Sequence, residues 1–345
     1  MDSSEFTSSS SNVSQQRQRL EWVKRVKISR SFKIIFFAVC ICAVLNFILS
    51  TRYISSASVI DIEKGISQIR TPKLADGCYH VLLDVGSNIG IHARFLFEPD
   101  LYPDSKTSVA TFAKEFGSER DNRDYCVFAF EPSPKFEQRH RAMEKAYKEM
   151  GWRYSPILAG ASNRDGNMTF FYTFLEKEEI ETGFNAVASK TLYGHDATQT
   201  TVQVVRLASW IQKEVEGRQI PETPHSNPEL GPKVIMKLDI EGLEFRVFPD
   251  LITTGALCNN IHFLMGEFHY GPGSHNYYPM NLTTDGKHTL AHRKEGMQLA
   301  NQMLRLIDIT ESCMTRYSLD DDESYLTDPF DLPSPSNKTG ANKMS

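Results

Sequence analysis

Beyond position 77, apolar residues fall into short continuous runs, and stretches with helical spacing separate these runs. A short apolar run between polar or turn residues is typical of a strand that is buried on both faces. The strands that these runs predict are Val81–Val85, Val127–Phe130, Tyr154–Leu158, Val234–Leu238, Ile261–Phe268 and Thr315–Leu319. The helices that the spacing predicts are Ile91–Phe97, Pro134–Met150, one from about Leu243 and Glu295–Leu306.

The alternation of strands and helices indicates the fold class. Strands that are separated by helices require right-handed crossovers and form a parallel sheet with helices on both faces. We therefore expect an α/β fold with a Rossmann-like, mostly parallel sheet. Two inserts, 98–125 and 163–231, interrupt the alternation, and the second contains the hairpin-like stretch DGNMTFFYTF.

One apolar run, Ile34–Leu49, lies far ahead of this domain and has Asn46 as its only polar residue. It covers about 24 Å as a helix, and flanking residues extend it toward the hydrocarbon thickness of a bilayer. We expect an uncleaved transmembrane signal anchor, because the basic leader is long for a signal peptide. A cleaved signal peptide, with Ser55-x-Ala57 as its cleavage site, and a buried core helix are the alternatives.

Charge and composition then divide the chain. Seven Lys and Arg against three acids precede Ile34, which keeps the N-terminus cytosolic. The expected protein is thus a single-pass type II membrane protein with its domain luminal, in the Golgi or endoplasmic reticulum, or extracellular. The net charge of −5 carries no nucleic-acid signature. The expected segments are a disordered tail (1–31), the anchor (32–54), a stem (55–76), the domain (77–328) and a flexible tail (329–345).

Cysteines and sequons fit that compartment. Four cysteines beyond the anchor allow three pairings, and free buried thiols are the alternative. Cys78 and Cys126 precede two strands by similar distances, so we expect them to form one disulfide and Cys258 and Cys313 the other. Glycosylation acceptors of a luminal glycoprotein are Asn167, Asn281 and Asn337.

The first strand ends in VLLDVGSNIG, where Asp84 is followed by Gly86 and Gly90. Ligands of open α/β sheets bind at the carboxyl ends of strands. The glycines leave a bare turn before a helix N-terminus, where backbone N–H groups are unpaired and favour a carboxylate or phosphate. An acid ahead of the glycines also suits a ligand with an ammonium group. An amino acid carries both groups.

The second strand ends in FAFEP, which places Glu131 at the same sheet edge. An acid at this position can accept both hydroxyls of a ribose. An amino-acid site beside a ribose site is the outline of S-adenosylmethionine. The alternative for Glu131 is a cap of the following helix, with Pro132 in its first turn.

Five motifs in one order resemble the FkbM family of S-adenosylmethionine-dependent methyltransferases: LLDVGSNIG, FAFEPSP, LAGASNRDGNMTFFY, VIMKLDIEGLE and GEFHY. The resemblance covers residues 81–270 and, more loosely, extends to 326. It implies a class I methyltransferase fold and, commonly in the family, O-methylation of a sugar or natural-product hydroxyl. The residues that match its cofactor motifs are Asp84, Gly86, Asn88, Gly90 and Glu131, with Gly160, Ala161 and Ser162 expected beside the adenine.

The sequence departs from the family at one point. Members often carry an aspartate pair after the strand that matches VQVVRLASW, and Ala208 and Ser209 stand there in this chain. Any role of that pair is therefore in doubt here.

Candidate catalytic residues follow the fourth and fifth strands. MKLDIEG places Lys237, Asp239 and Glu241 at one strand end, and GEFHY places Glu267 and His269 at the next. We expect Asp239 or His269 to be the general base, with Glu241 and Glu267 orienting a sugar or holding Mg²⁺ or Mn²⁺. A metal would be bound by Asp239, Glu267 and His269. The alternative is that Asp239 and Glu241 cap the next helix and Lys237 pairs with an acid.

The expected function is O-methylation of a glycan or small-molecule hydroxyl in the secretory pathway. The main alternative is a metal-dependent luminal glycosyltransferase that uses the acidic run Asp320–Asp322, which otherwise is expected to be a solvated loop. A nicotinamide enzyme is disfavoured because G-x-G-x-x-G is missing. A catalytically inactive, anchored binding protein is a further alternative. His140, His262 and His288 are expected to be structural or exposed.

Overall fold

The structure is a computed structural model that describes residues 70–105, 107–117, 120–172, 198–226, 230–269, 290–319, 322, 328 and 331–335. The described residues from 72 onward belong to one compact unit, and the predicted cytosolic tail, anchor and most of the stem lie outside the described residues. Within the described part of the chain, no helix combines the length and apolar character that spanning a bilayer requires.

Nine strands are present in the described ranges. They are β1 His80–Val85, β2 Tyr125–Phe130, β3 Arg153–Ile157, β4 Gly160–Ser162, β5 Gly166–Tyr172, β6 Thr198–Arg206, β7 Val234–Leu238, β8 Phe263–Gly266 and β9 Arg316–Leu319. The α-helices of the same ranges are α1 Ile91–Phe97, α2 Ser108–Phe116, α3 Glu137–Glu149, α4 Leu207–Glu214, α5 Glu244–Thr253, α6 Ala256–Asn260 and α7 Leu290–Ile309.

Six of the strands form the central sheet in the order β3-β2-β1-β7-β8-β9, and every pair of neighbours is parallel. The strand order reverses between β1 and β7, where Asp84 is in register with Lys237. In an open α/β sheet the crevice at such a reversal is the usual ligand site. The α/β class and the mostly parallel sheet that the sequence predicted are confirmed, and they are consistent with a Rossmann-like methyltransferase.

Two apolar layers cover the sheet, because side chains alternate along each strand. Val81, Leu83 and Val85 of β1 face a core that helices α4 to α7 complete, whereas Leu82 faces a second core formed with α1, α2 and α3. The apolar runs are continuous because both faces are covered. The Asp84 side chain lies on the same face of β1 as Leu82. A carboxyl group is therefore buried in the second apolar layer.

A second sheet was not anticipated. Strands β4, β6 and β5 form a three-stranded sheet with β6 in the middle. Strand β4 is parallel to β6, and β5 is antiparallel to β6. The hairpin-like stretch is one continuous strand, β5, whose partner lies more than 25 residues further along the chain. Local sequence showed a strand-forming segment but not the distant partner. The first insert also differs from the prediction, since it contains helix α2.

Several predicted boundaries differ from the structure. Strand β8 is shorter than predicted and ends at Gly266, whose φ of 132° is unfavourable for other residues. Glu267 and His269 therefore follow the strand and do not lie in it. Helix α7 is longer than predicted at both ends. The remaining predicted strands and helices are found within a few residues of their predicted limits.

Both predicted disulfides are present. Cys78 pairs with Cys126 and Cys258 pairs with Cys313, with Cα–Cα distances of 5.6 and 4.3 Å. The first joins the starts of β1 and β2, because Val81 is in register with Cys126. It therefore lies at the edge of the sheet opposite to the strand ends that carry the candidate site.

The acidic run after β9 is not a solvated loop where the structure describes it. The Asp322 carboxylate is buried and accepts hydrogen bonds from Ser105 Oγ at 2.7 Å and from the N–H of Ser108 at 3.0 Å. Ser108 is the first residue of α2, so Asp322 satisfies a helix N–H that has no partner within the helix. The prediction of a solvated loop is wrong for this residue. Leu332 packs against the second core, beyond the predicted end of the domain.

Candidate functional site

The Asp84 carboxylate is fully buried at the end of β1, and neither of its oxygens has a hydrogen-bond partner among the described residues. On α1, His92 Nδ1 lies 3.5 Å from Asp84 Oδ1. Ser87 Oγ, Asn88 Oδ1 and His92 Nδ1 are buried without a partner in the same region. Since buried polar groups are nearly always paired, this cluster is a candidate site for polar groups of a ligand.

Burial dominates the ionisation of this cluster. It raises the pKa of the Asp84 carboxyl to about 6, although the positive charge of Lys237 opposes the shift. Burial also lowers the pKa of His92 to about 3, and Lys237 acts in the same direction. At neutral pH the site therefore presents an ionised carboxylate beside a neutral imidazole, an arrangement that attracts a cationic ligand group.

The turn after β1 is held by residues of neighbouring elements. The N–H of Asn88, a residue with a φ of 50°, donates to Glu131 Oε2 at 2.7 Å. On the other side, His140 Nε2 lies 2.8 Å from the Asn88 carbonyl oxygen and Arg139 Nε donates to the Ile89 carbonyl at 2.6 Å. The position of the turn is thus set by side chains of β2's end and of α3.

Glu131 is buried at the end of β2, adjacent to this turn. Its second oxygen accepts a hydrogen bond from the N–H of Ser133 at 2.7 Å, just before the 3₁₀ turn Pro134–Phe136. One Glu131 oxygen therefore binds the residue before this 3₁₀ turn, which is close to the capping role that the sequence gave as the alternative. The other oxygen links the turn after β1 to the end of β2.

Packing against backbone atoms requires glycine at position 86, and a positive φ favours glycine at positions 86 and 90. A Cβ on Gly86 would lie 1.6 Å from the carbonyl oxygen of Asp239, and one on Gly90 would lie 2.8 Å from Met143 Cε. Both residues have positive φ values, of 82° and 76°. Gly86 allows the segment after β7 to approach the turn after β1, which brings the two halves of the site together.

The predicted adenine-side loop forms β4. Ala161 and Ser162 are buried there, and Ser162 Oγ has no hydrogen-bond partner among the described residues. A Cβ on Gly160 would contact Pro132, the residue after Glu131, at 3.5 Å. The loop therefore lies beside the end of β2, although its contact with a cofactor stays a prediction. Ala208 is the second residue of α4, lies in the core and supplies no polar group.

The segments after β7 and β8 bring four carboxylates around one imidazole. His269 Nε2 lies 2.9 Å from Glu267 Oε1, 3.6 Å from Asp239 Oδ1 and 3.7 Å from Glu241 Oε2. Lys237 Nζ pairs with Asp239 at 2.6 Å and donates to the Gly86 carbonyl at 3.1 Å. The pairing that the sequence gave as the alternative for Lys237 is therefore present, and the cluster adjoins the turn after β1.

Glu244, which was not among the predicted site residues, anchors this cluster. Its buried carboxylate accepts the N–H groups of Ile240 and Gly242 at 2.7 and 2.8 Å. It also lies 2.9 Å from His269 Nδ1. Glu244 is the first residue of α5 and fixes the turn that leads into this helix, whose N-cap residue Leu243 makes no side-chain cap hydrogen bond. An acid in the first turn of a predicted helix was the sequence signal, but its contact with His269 joins residues 25 positions apart.

Charges within the cluster shift each pKa. Burial acts to lower the pKa of His269, but the negative charges of Glu244 and Glu267 outweigh burial and hold it well above its usual range. Burial acts to raise the pKa of Asp239, and Lys237 outweighs it, so this pKa is lowered. Burial raises the pKa of Glu241 to about 7. His269 is hence a cation at neutral pH, and the roles predicted for Asp239 and His269 stay predictions.

Ligand atoms of Asp239, Glu241 and His269 all lie within 4.8 Å of one another, which is compatible with a shared metal ion. Oxygen donors with one imidazole suit Mg²⁺ or Mn²⁺. The Nδ1 of His269 faces Glu244, the usual second partner of a metal-bound histidine. Asp239 and His269 of the predicted metal set are in this group, whereas Glu241 stands in it where Glu267 was predicted, and Glu267 lies 2.9 Å from His269 Nε2.

The other predicted histidines have structural positions. His140 is buried between Tyr154 and the Asn88 carbonyl, and His262 Nδ1 accepts the N–H of Val234 at 3.0 Å. The prediction for these two residues is confirmed, whereas His288 lies outside the described residues. His140 nonetheless supports the turn after β1, which its sequence surroundings did not indicate.

A parallel sheet with acids at consecutive strand ends beside its order reversal has the arrangement of a Rossmann-like methyltransferase. The family model described as the methyltransferase FkbM domain matches residues 84–283, and the chain belongs to this family. The protein is therefore a methyltransferase, and the family implies S-adenosylmethionine as the methyl donor. No curated protein and no solved structure matches the chain.

The residues at the turn fit that donor. An ammonium group needs a buried acceptor, and both oxygens of Asp84 are buried without a partner. A ribose needs an acid at the next strand end, where Glu131 lies. Leaving several buried polar atoms unpaired would cost about 1–3 kcal/mol for each, so a ligand that pairs with them gains that free energy on binding.

Proposed function

We propose that this methyltransferase methylates a hydroxyl oxygen of a glycan in an oxidising compartment of the secretory pathway, with a divalent cation at the acceptor site. The observation that carries the proposal is the contact between two sites. The unpaired Asp84 carboxylate adjoins a cluster of four carboxylates through the close approach of Gly86 and Asp239.

The donor is held by the turn and its neighbours. Asp84 accepts its ammonium group, Ser87 and Asn88 offer buried polar atoms, and Glu131 accepts ribose hydroxyls. Ala161 and Ser162 flank the adenine, while Gly86 and Gly90 give the turn its shape. When bound, S-adenosylmethionine supplies a methyl group that is already activated by its sulfonium.

The acceptor lies against the cluster of Asp239, Glu241, Glu267 and His269. Carboxylates accept hydrogen bonds from sugar hydroxyls and repel anionic acceptors, so a neutral polyhydroxylated acceptor is favoured. The chain has to align one hydroxyl and remove its proton, and proton removal typically contributes about 10²–10⁴-fold. A carboxylate of the cluster accepts this proton, and Lys237 fixes the Asp239 side chain.

The cation is bound by Asp239, Glu241 and His269, with Glu267 as a further ligand and Glu244 orienting the imidazole. Four carboxylates surround His269 in the acceptor cluster, and the cations described there are Lys237 and protonated His269, whose Nε2 proton a metal ion would displace. This excess of negative charge in partly buried surroundings favours cation binding. Mg²⁺ or Mn²⁺ there would neutralise charge and orient the acceptor hydroxyl.

The burial of Asp322 disfavours the alternative of a metal-dependent glycosyltransferase. Such an enzyme would need accessible carboxylates in the acidic run, yet Asp322 is buried and caps α2. Asp320 and Asp321 lie outside the described residues. An inactive binding protein would keep the same unpaired polar atoms, so only turnover in the acceptor assay separates it from the enzyme.

Two observations support the compartment. Disulfides are characteristic of proteins that fold in oxidising compartments, and this domain has two. Asn167, one of the three sequons, is exposed on β5. The single-pass anchor at residues 32–54 and the luminal domain, in the Golgi or endoplasmic reticulum, are part of the proposal, and protease protection in microsomes tests them.

The acceptor is tested with the soluble domain from about Ser55, labelled donor, and a panel of neutral glycans, acidic glycans and proteins. We expect label on neutral glycans, and Asp239→Asn to lose turnover while donor affinity is kept. Label found only on protein side chains would refute the glycan acceptor.

The cation is tested by titrating Mn²⁺ into the protein and following its paramagnetic resonance signal. We expect one bound ion, at least tenfold weaker binding in His269→Ala and in Glu241→Gln, and unchanged binding in the control Asp121→Asn. Asp121 is an acid of the loop before β2, at the opposite edge of the sheet. Equal binding in all four proteins, or full activity in EDTA, would exclude the cation.

A further inference from the structure

Asp328, which follows β9 in the chain, is connected through one arginine to the turn after β1. Arg139, on α3, donates from Nε to the Ile89 carbonyl at 2.6 Å, and its Nη2 pairs with the Asp328 carboxylate. A guanidinium has its donors in a rigid planar fork. Its orientation toward Ile89 is therefore coupled to its orientation toward Asp328.

The Asp328 carboxylate is buried and has several hydrogen-bond partners. Its side chain is 2 % exposed, and its Oδ1 accepts hydrogen bonds from Arg94 and from Tyr102, each at 2.6 Å. Arg94 is fully buried on α1 and also donates to the Asp331 carbonyl at 2.6 Å. A surface charge would not have this many partners, so the position of Asp328 is determined by the fold.

The turn itself has little regular structure to hold it. Asn88 has a positive φ, and its side-chain oxygen is one of the unpaired atoms of the cofactor site. Its backbone is fixed by Glu131 on one side and by His140 on the other, while Arg139 fixes the next carbonyl. Arg139 therefore supports the C-terminal half of this turn, together with the hydrogen bond from the N–H of Gly90 to the Ser87 carbonyl at 2.7 Å.

We infer that Asp328 is a positioning residue for cofactor binding: its carboxylate orients Arg139, and Arg139 holds the Asn88–Ile89 turn in its binding conformation. The inference rests on the proposed cofactor site, which it extends by a residue more than 230 positions away from the turn. Asp328 thus supports the methyl-donor site through Arg139, although it does not touch the donor.

The test compares the full chain, purified in detergent, with Asp328→Asn. The variant loses the charge that orients Arg139, so we expect the dissociation constant for S-adenosylmethionine to rise about tenfold by calorimetry. We expect the KM for the acceptor to stay unchanged. In the ligand-free protein, hydrogen exchange of peptides covering 86–91 is expected to become faster.

Two further variants separate positioning from general destabilisation. Glu115 is also 2 % exposed and pairs with Arg316 and Lys233, but it has no contact with the turn in the described structure. Glu115→Gln therefore removes a comparable buried acid, and we expect wild-type donor affinity. Arg139→Lys keeps the positive charge but has a single nitrogen, so it is expected to reproduce Asp328→Asn.

The outcomes are distinguishable. Wild-type exchange at 86–91 in Asp328→Asn, or an equal loss of donor affinity in Glu115→Gln, would overturn the positioning role. A wild-type chain that binds no donor would overturn the proposed function, and the exchange rates would still decide whether Asp328 holds the turn. Partial recovery of donor affinity in Asp328→Glu, which restores the charge, supports the role.

Discussion

The backbone of Asp239 lies so close to Gly86 that a Cβ on Gly86 would be 1.6 Å from the Asp239 carbonyl oxygen. The donor turn and the acceptor cluster are therefore in direct contact through backbone atoms, and only glycine permits this. Lys237 strengthens the contact by donating to the Gly86 carbonyl.

Replacing Gly86 by alanine should separate the two sites. We expect Gly86→Ala to lower the free energy of unfolding by about 1–3 kcal/mol more than Gly151→Ala, because it adds a steric overlap to the strain of a positive φ. Gly151 has a φ of 77° and open space around its Cβ position, so it is the matched control. Urea denaturation and donor calorimetry measure both effects. Equal stability of the two variants would contradict the close approach.

Replacing Asp84 by asparagine should stabilise the ligand-free protein and weaken donor binding. The folded pKa is raised from 3.8 to about 6, so the cost of ionising Asp84 is absent below pH 3.8 and complete above pH 6. We expect Asp84→Asn to gain up to about 3 kcal/mol of unfolding free energy at pH 7.5 and little at pH 4.

The same variant should bind S-adenosylmethionine about 10–100-fold more weakly, since a charged hydrogen bond contributes about 1.5–3 kcal/mol. Denaturation at the two pH values and calorimetry at pH 7.5 provide the measurements. Unchanged donor affinity would remove Asp84 from the site.

Buried histidines should make the domain unstable in acid. Burial lowers the pKa of His80 and His140 to about 4 and that of His92 to about 3. Each contributes stability that is present above pH 6.5 and is lost as the pH falls toward the folded pKa, by up to about 1.4 kcal/mol per pH unit. Asp84 acts in the opposite direction between pH 6 and 4.

His140→Gln tests this dependence, because glutamine can still donate to the Asn88 carbonyl. We expect a smaller loss of unfolding free energy between pH 6.5 and 5 than in the wild type, measured by urea denaturation. An identical pH dependence in both proteins would show that His140 is not buried in its neutral form.

The disulfides should stabilise the domain without touching the site. We expect no free thiols in the denatured, unreduced domain from Ser55. Replacing Cys78 and Cys126 by serine should cost about 4 kcal/mol of unfolding free energy in the loop-entropy model. Donor affinity should be unchanged, because this bridge lies at the starts of β1 and β2. Four titratable thiols in the unreduced domain would exclude both bridges.

Sequence alone predicted the sheet because both of its faces are covered. Continuous apolar runs such as Val81–Val85 are required where a strand is buried on two sides, and they are visible without knowledge of any partner. The acids at strand ends were visible for the same reason, since Asp84 and Glu131 interrupt apolar runs at a fixed place. Cysteines that precede adjacent strands by similar distances also indicated their pairing correctly.

Pairing over long distances was decided by the tertiary structure. Strand β5 finds its partner across an insert, Asp322 caps a helix more than 200 residues earlier, and Asp328 reaches the donor turn through Arg139. Local residue patterns report which face of an element is buried, because burial follows the period of that element. They do not report which charged groups meet there. The charge state of His269 and the role of Glu244 depend on contacts between residues that are distant in sequence, and only the folded chain determines these contacts.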